Sequence, residues 1–353
     1  MKIAIVGRGI FGLALSYLLP SVREDIEVCY YVPSKNPSLK HDILGEQLYS
    51  EKLLTSIGVN IIHYNNINYN IVERRIKADA SEEKYDIIIF SSTVKLNTKA
   101  NILKGLNTYT LSYATLKGKE LRYEKSEKEY FVEPEIWNMI VNELHKRRVK
   151  IAEGKRGSSI KIDSPIDIKI LDAVPENFEL YKNVYIGGEG LPYIDKPSGK
   201  TFKLYMPSEA YRHAWILTLK IALGVNIPLN TTRINVATLG DKILYSIGYP
   251  LKTFKRVKSI RLKTEKEHTK IIFDQKGRIL GVSIVGTIET LPLIYKLAET
   301  NNEKNILHIL KTPWITVPFK LKIRNNIILL FESIIRKIIS EPYELIRTSK
   351  DTQ

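Results

Sequence analysis

The first twenty residues, MKIAIVGRGIFGLALSYLLP (1–20), decide the architecture. IAIVG (3–7) is a short, wholly apolar run, the pattern of a parallel strand buried on both faces. Gly7, Gly9 and Gly12 supply G-x-G-x-x-G, and Phe11, Leu13, Ala14, Leu15, Tyr17, Leu18 and Leu19 then form an apolar helical stretch that should stop near Pro20. IEVCYYV (26–32) reads as a second strand, closed by Pro33. Strand, glycine turn, helix and strand within about 30 residues is the spacing of a βαβ unit. The glycines meet three separate demands: a tight turn at Gly7, close approach of the backbone to a pyrophosphate at Gly9, and packing of helix on strand at Gly12. Phosphates would sit at the positive end of the helix that opens at Ile10 and Phe11. The triplet alone is a weak signal. Its place after a buried strand and before a helix is the context that makes it a dinucleotide-binding turn.

One expected partner is missing. An acid should close the second strand and grip the ribose hydroxyls, but Tyr30 and Tyr31 stand there, and Glu27 lies too early. Ser34 and Lys35 follow and could hold a ribose phosphate. Either the adenosine end is held differently or nucleotide affinity has decayed.

Working outward, 353 residues suggest two domains, and 44% hydrophobic with 26% charged residues is ordinary for a globular protein. Cys29 is the single cysteine, which excludes an internal disulfide, a CxxC redox pair and a thiolate metal cage. It lies within an apolar strand and should be inert. The histidines show no metal-ligand spacing, so no metal is expected. The net charge of +16 favours acidic partners, although lysines interleaved with glutamates also describe a solvated surface. No motif for reading nucleic acid is present. The start has no leader pattern and no apolar run is long enough to span a bilayer, so a cytoplasmic location is expected.

Further strands are expected at VNIIHY (59–64), NIVERRI (70–76) and YDIIIFSS (85–92). EIWNMIVNELHKRRVKI (135–151) has helical spacing, with Ile136, Met139, Ile140 and Leu144 on one side. NVYIGG (183–188) is a buried strand ending on glycines, the segment to Pro207 is loop-rich, and SEAYRHAWILTLKIALG should be a helix capped by Ser208 and stopped by Gly224. Glu209 in its first turn suits the helix dipole, and His213 one turn on is a candidate proton donor. Beyond Pro228 the texture changes to RINVAT, ILYSIG, TKIIFD and RILGVSIVG, followed by a helix through TLPLIYKLAET. The expected fold is α/β: a Rossmann-like domain over 1–227 and an α+β domain over 228–353. Residues 252–270 are the densest basic stretch, and IRNNIILLFESIIRKII (323–339) is an apolar tail suited to packing at a dimer interface or, less well, to a membrane surface.

Taken together, these segments resemble the pyridine nucleotide-disulfide oxidoreductase family. HTKIIFDQKGRILGVSIVG with its following helix is similar to that family's C-terminal interface domain, and ATLGDKILYSIG and TPWITVPF are similar to its other landmarks in the right order. EKYDIIIFSST resembles the strand ending in Ala-Thr-Gly beside the flavin nucleotide, here Ser91, Ser92 and Thr93. NVYIGGEG resembles the strand ending in Gly-Asp, whose acid holds the flavin's ribityl or phosphate portion, here Gly188 and Glu189. PSEAYRHAWILTLKIALG resembles the next helix, whose start, with Glu209 and Ala210, points at the isoalloxazine ring. The resemblance implies bound FAD, a homodimer through the C-terminal domain, and electrons passed to a small-molecule or protein acceptor. Two departures qualify it. The region NPSLKHDILGEQLY has no redox cysteine. The inserted NAD(P)H domain would fall near 110–175, where no second glycine fingerprint occurs and only a remnant fits. Electrons would therefore pass through a flavin without a redox disulfide. The alternatives are a non-catalytic structural or regulatory member and a peripheral membrane quinone reductase.

Overall fold

Isoleucine and valine crowd the first strand because it lies between two others. In a computed structural model that describes residues 1–34, 50–97, 99–125, 131–154, 158–167, 171–195, 198–227, 229, 233–263, 268–276 and 279–286, β1 (Lys2–Val6) leads through the glycine turn into α1 (Ile10–Val22) and returns as β2 (Glu27–Pro33). A short α2 (Glu51–Ser56), capped by Ser50, precedes β3 (Asn60–Tyr64). A small meander follows, β4 (Ile67–Asn70), β5 (Arg75–Ala78) and β6 (Ser81–Lys84), and then the long β7 (Ile87–Leu96). Next come β8 (Ile102–Lys104), α3 (Thr108–Lys117), β9 (Glu120–Tyr123), α4 (Pro134–Lys146), β10 (Ile151–Glu153) and β11 (Ile160–Asp163). The chain then supplies β12 (Glu179–Tyr181), β13 (Val184–Gly188), the hairpin β14 (Pro192–Asp195) and β15 (Lys200–Lys203), and α5 (Pro207–Leu223). The last described strands are β16 (Ile234–Leu239), β17 (Lys242–Gly248), β18 (Lys258–Lys263), β19 (His268–Phe273) and β20 (Ile279–Gly286).

The central sheet has the order β12-β13-β7-β1-β2-β3, with β11 pairing antiparallel to the far end of β7. Strands β13, β7, β1, β2 and β3 are parallel; Ile5 lies level with Tyr30 on one side and Ile89 on the other. From β1 the chain first builds outward to β2 and β3, then returns to build β7 and β13 on the opposite side. The ends of β1 and β7 therefore flank a topological switch point, where ligands of open α/β sheets bind. The main core joins β1, β2, β7 and β13 to α1 and α5, which pack closely on each other.

A second core lies beyond β7. Strands β8, β9 and β10 form a three-stranded parallel sheet in the order β10-β9-β8, and α3 and α4 link them in a βαβαβ succession. Leu103, Leu121, Ile136, Trp137, Ile140 and Leu144 from this unit share one core with Ala237, Leu239, Leu244 and Val285 of the five-stranded antiparallel sheet β16-β17-β20-β19-β18. Ion pairs reinforce the seam. Lys270 on β19, buried, meets Glu133 at 2.8 Å and Glu135 at 3.3 Å, and Lys242 on β17 meets Glu143 at 3.0 Å. The EIWNMIV helix thus faces the C-terminal sheet.

The α/β class holds, and four local readings change. First, α1 continues through Pro20 to Val22, because a proline so near the end displaces little of the ladder. Second, NIVERRI is not one strand but the end of β4, a turn over Ile71–Arg74 and the start of β5: Asn70 Oδ1 accepts from the N–H groups of Val72 and Glu73 at 3.1 Å, Arg74 adopts φ 53°, and Ile71 and Val72 are exposed. Third, the stretch before Pro207 is mainly the β14–β15 hairpin rather than loop. Fourth, α5 begins one residue before Ser208, with Pro207 in its first turn and Met206 at the cap, since proline suits that position. Lys35, Pro228, TLPLIYKLAET, TPWITVPF and the 323–339 tail lie outside the described residues.

Candidate functional site

The ends of β1 and β13 flank the middle of β7, which runs on to Leu96. The glycine turn follows β1, Ser91–Thr93 lie along β7 beside it, and Gly188–Glu189 close β13. Gly7 and Gly9 take φ of 106° and 115°, which side chains rarely adopt. A Cβ on Gly7 would stand 2.3 Å from the Ser91 carbonyl oxygen, and one on Gly9 would stand 2.8 Å from Thr93 Cβ. A Cβ on Gly12 would stand 2.7 Å from Ser91 Cβ, the helix-on-strand contact expected of the third glycine.

Serine in place of alanine at position 91 has a visible purpose. Its Oγ accepts from the Gly12 N–H at 2.9 Å and donates to the Arg8 carbonyl at 3.1 Å, tying the turn to β7. The Ser92 Oγ donates to the Glu189 carbonyl at 2.8 Å, and the Glu189 N–H returns a bond to the Ser92 carbonyl at 3.1 Å. Ile10 and Phe11 open α1, whose first turn has neither a side-chain cap nor an acid. The Phe11 ring stacks on Phe178 with centroids 6.0 Å apart and fills the space over Gly187. Gly9 is partly exposed, whereas Ile10, Phe11 and Ser91–Thr93 are buried.

Arg8, between the first two glycines, reaches Asp163 Oδ2 at 3.1 Å, and Lys95 meets the same oxygen at 2.8 Å. Burial would raise the Asp163 carboxyl, but Lys95 and Arg8 outweigh it and hold the group below the usual carboxylate range.

The acid of β13 faces inward. Glu189 is fully buried, and the Tyr109 hydroxyl from α3 donates a short hydrogen bond to its carboxylate. Burial, followed by the Glu189 charge, pushes the Tyr109 phenol far above its ordinary range, so it remains a donor. Tyr193 is also fully buried and bonds Gly188 through both the N–H (3.2 Å) and the carbonyl (3.1 Å).

At the end of β2 the Tyr31 side chain turns away from the glycine turn. The Tyr31 carbonyl accepts from the Gly7 N–H at 3.1 Å, but its hydroxyl meets Tyr85 at 2.5 Å, beside Glu83. Ser34 lies partly exposed with its N–H on the Tyr64 carbonyl at 2.7 Å. On α5, Ala210 is buried, and Glu209 lies in the first turn, where its charge suits the dipole, and pairs with Arg212 at 2.8 Å. His213 is fully buried between Phe178 and Tyr193. Burial, and then the Arg212 charge, hold its pKa well below the ordinary range, so the ring is neutral near neutral pH and is not an imidazolium acid.

Sequence reasoning missed Tyr109, Asp163 and the turn before α3. That turn reads Gly105, Leu106, Asn107, then Thr110, matching the glycine spacing with Asn and Thr in the second and third places. Asn107 Oδ1 accepts from the N–H groups of Tyr109 and Thr110 at 3.0 Å, and Thr110 Oγ1 accepts from the Asn107 N–H at 3.2 Å. The chain's own side chains therefore satisfy the donors that a phosphate would take. The G-x-N-x-x-T spacing after ILK was the available signal.

A ligand at the first turn can be tested against these residues. A diphosphate needs N–H donors and a positive dipole, and the start of α1 supplies the dipole and the N–H groups of Ile10 and Phe11, while Ser91 Oγ holds that of Gly12. A ribityl hydroxyl needs an acceptor, and Glu189 already holds a hydroxyl of that kind from Tyr109. The donor and acceptor set fits FAD, with one phenol in the hydroxyl's place.

No family model and no curated protein matches the chain. Solved structures do. A pyridine nucleotide-disulfide family oxidoreductase from Enterococcus faecalis V583 superposes with a TM-score of 0.70 at 16% identity, over 97% of this chain and 100% of that one. The water-forming NADH oxidase from Lactobacillus brevis, bound to NADH, gives 0.68 at 13% identity, over 89% and 94%. An NAD-dependent persulfide reductase from A. fulgidus gives 0.70 at 11% identity, over 89% and 80%. The likeness is one of fold: this chain has the architecture of that group of oxidoreductases.

Proposed function

We propose that the chain is a FAD-binding oxidoreductase that passes electrons through the flavin to an acceptor without a redox disulfide. The observation that carries this reading is the glycine turn opening an uncapped α1 at the switch point, on a fold shared with the pyridine nucleotide-disulfide family oxidoreductase from Enterococcus faecalis. Bound FAD would supply the electron-transfer chemistry. The chain's own residues would do the rest. The N–H groups at the start of α1 hold the diphosphate, Ser91 fixes the turn against β7, and Glu189 accepts from the ribityl hydroxyls. Glu209, paired with Arg212, keeps the start of α5 ordered. With Cys29 as the single, buried cysteine, no dithiol can relay electrons.

The acceptor is a small molecule or a carrier protein in this reading, and the chain works as a homodimer through residues beyond about 228. A pyridine nucleotide donor bound in the manner of a second Rossmann half is disfavoured, because Asn107 and Thr110 occupy the N–H groups of α3. A second reading, a non-catalytic structural or regulatory member, is favoured by one observation: Glu189 is already engaged by Tyr109. Among the described residues no helix is long and apolar enough to cross a membrane. The test is to denature the purified chain and weigh any released nucleotide. Released FAD supports the reading, whereas released NAD or NADP overturns it.

A further inference from the structure

We propose that Tyr109 is the specificity-determining residue of the nucleotide site: its phenol holds the Glu189 carboxylate that a flavin's ribityl hydroxyl needs, so this conformation takes an adenine nucleotide diphosphate and admits the whole flavin dinucleotide only after Tyr109 leaves. This rests on the reading of the glycine turn given above.

The two ends of the site differ. At the diphosphate end Gly9 is partly exposed and α1 has no side-chain cap. At the other end Glu189 is 0% exposed and Tyr109 4%, and Phe11 fills the space over Gly187. Groups that contact a ligand must be reachable before it binds, so a flavin can touch Glu189 only if what covers it moves. The exchange itself is chemically even, one hydroxyl donor on a carboxylate for another. That bond is what holds the ring over Glu189, so without the phenol's hydroxyl the ring leaves more readily and the flavin's bond to Glu189 becomes a net gain. Tyr109 is also held from behind. Its N–H is bonded by Asn107, α3 packs on β16, and the Thr238 N–H donates to Ser112 Oγ at 3.2 Å. Release of Tyr109 is thereby tied to the packing of α3 on the C-terminal sheet.

The test is a titration of nucleotide-free full-length chain with FAD and, separately, with ADP, for wild type and Tyr109→Phe. The phenylalanine keeps the ring and removes the hydroxyl. FAD should bind Tyr109→Phe at least tenfold more tightly, while ADP affinity stays unchanged because ADP brings no ribityl hydroxyl to Glu189. In wild type the observed FAD association rate should level off with concentration, limited by departure of Tyr109, while the ADP rate rises linearly. That measurement needs no variant to fold. Equal FAD affinity in both proteins, tighter FAD binding by wild type, or a linear wild-type FAD rate overturns the role of Tyr109 and leaves the glycine-turn reading intact. Absence of binding by both ADP and FAD in every protein overturns that reading, and this inference with it.

Discussion

Alanine at position 12 should collide with serine at position 91, and the collision should be relieved by changing either partner. In the structure a Gly12 Cβ stands 2.7 Å from Ser91 Cβ, 2.8 Å from its Oγ and 3.3 Å from Ile5 Cγ2. Overpacking at such a contact costs ~1–3 kcal/mol, and alanine's helix preference returns up to ~1 kcal/mol. Gly12→Ala should therefore destabilise by about 1–2 kcal/mol, a fall in Tm of about 1–3 °C for a chain of 353 residues. Ser91→Gly alone also destabilises, since it abandons the bonds to the Gly12 N–H and the Arg8 carbonyl, each worth ~1 kcal/mol. The double variant, however, has no clash left to relieve. It should be more stable than the sum of the single effects by ~1 kcal/mol or more. Thermal and denaturant unfolding followed by circular dichroism measure all four corners of the cycle. Strict additivity, or a Gly12→Ala variant as stable as wild type, would refute the packing assigned to the third glycine.

Lys270→Met strands the buried Glu133 and should cost ~3–5 kcal/mol in denaturant unfolding; adding Glu133→Gln should recover much of it, and a single-variant loss below ~1 kcal/mol would speak against the seam. Asn107→Ala should cost ~0.5–2 kcal/mol through the lost cap of α3, read from Tm. Asp163 has a depressed pKa, so its pairing with Arg8 and Lys95 stabilises the fold above the ordinary carboxylate pKa of ~3.9 and is lost as pH falls through the lower, folded value. The Tm gap between wild type and Asp163→Asn should therefore be full at pH 7 and close in acid, and a gap that widens below pH 4 would contradict this assignment.

Much of the nucleotide half was legible because the signals are local. An apolar run, three glycines and an apolar helix within 20 residues leave few alternatives, and β13 and the first part of β7 show the same continuous burial, although β7 runs on past Ser92 to Leu96. NIVERRI misled because Ile71, Val72 and Ile76 are strand-forming residue types, while the Asn70 side-chain bonds that fold its middle into a turn leave no pattern in the sequence. The βαβαβ unit of β8–β10 was hard to read because its strands are three or four residues long and its turn has exchanged glycines for a capping Asn and Thr. Tyr109 on Glu189 could not be read at all, as the partners lie 80 residues apart and neither carries a pattern. The missing acid at the end of β2 was legible, but the fate of Tyr31 was not: its hydroxyl turns to Tyr85, a contact set by tertiary packing.

The most direct test of the central claim is an equilibrium titration of the nucleotide-free chain with FAD, followed by flavin fluorescence, beside a titration with NADH under the same conditions. The uncapped first turn and the self-capped second one predict saturable FAD binding at one site per chain, with NADH bound more weakly than FAD and only in competition with it at the first turn. Binding of NADH more tightly than FAD would contradict the account, as would a chain that binds neither.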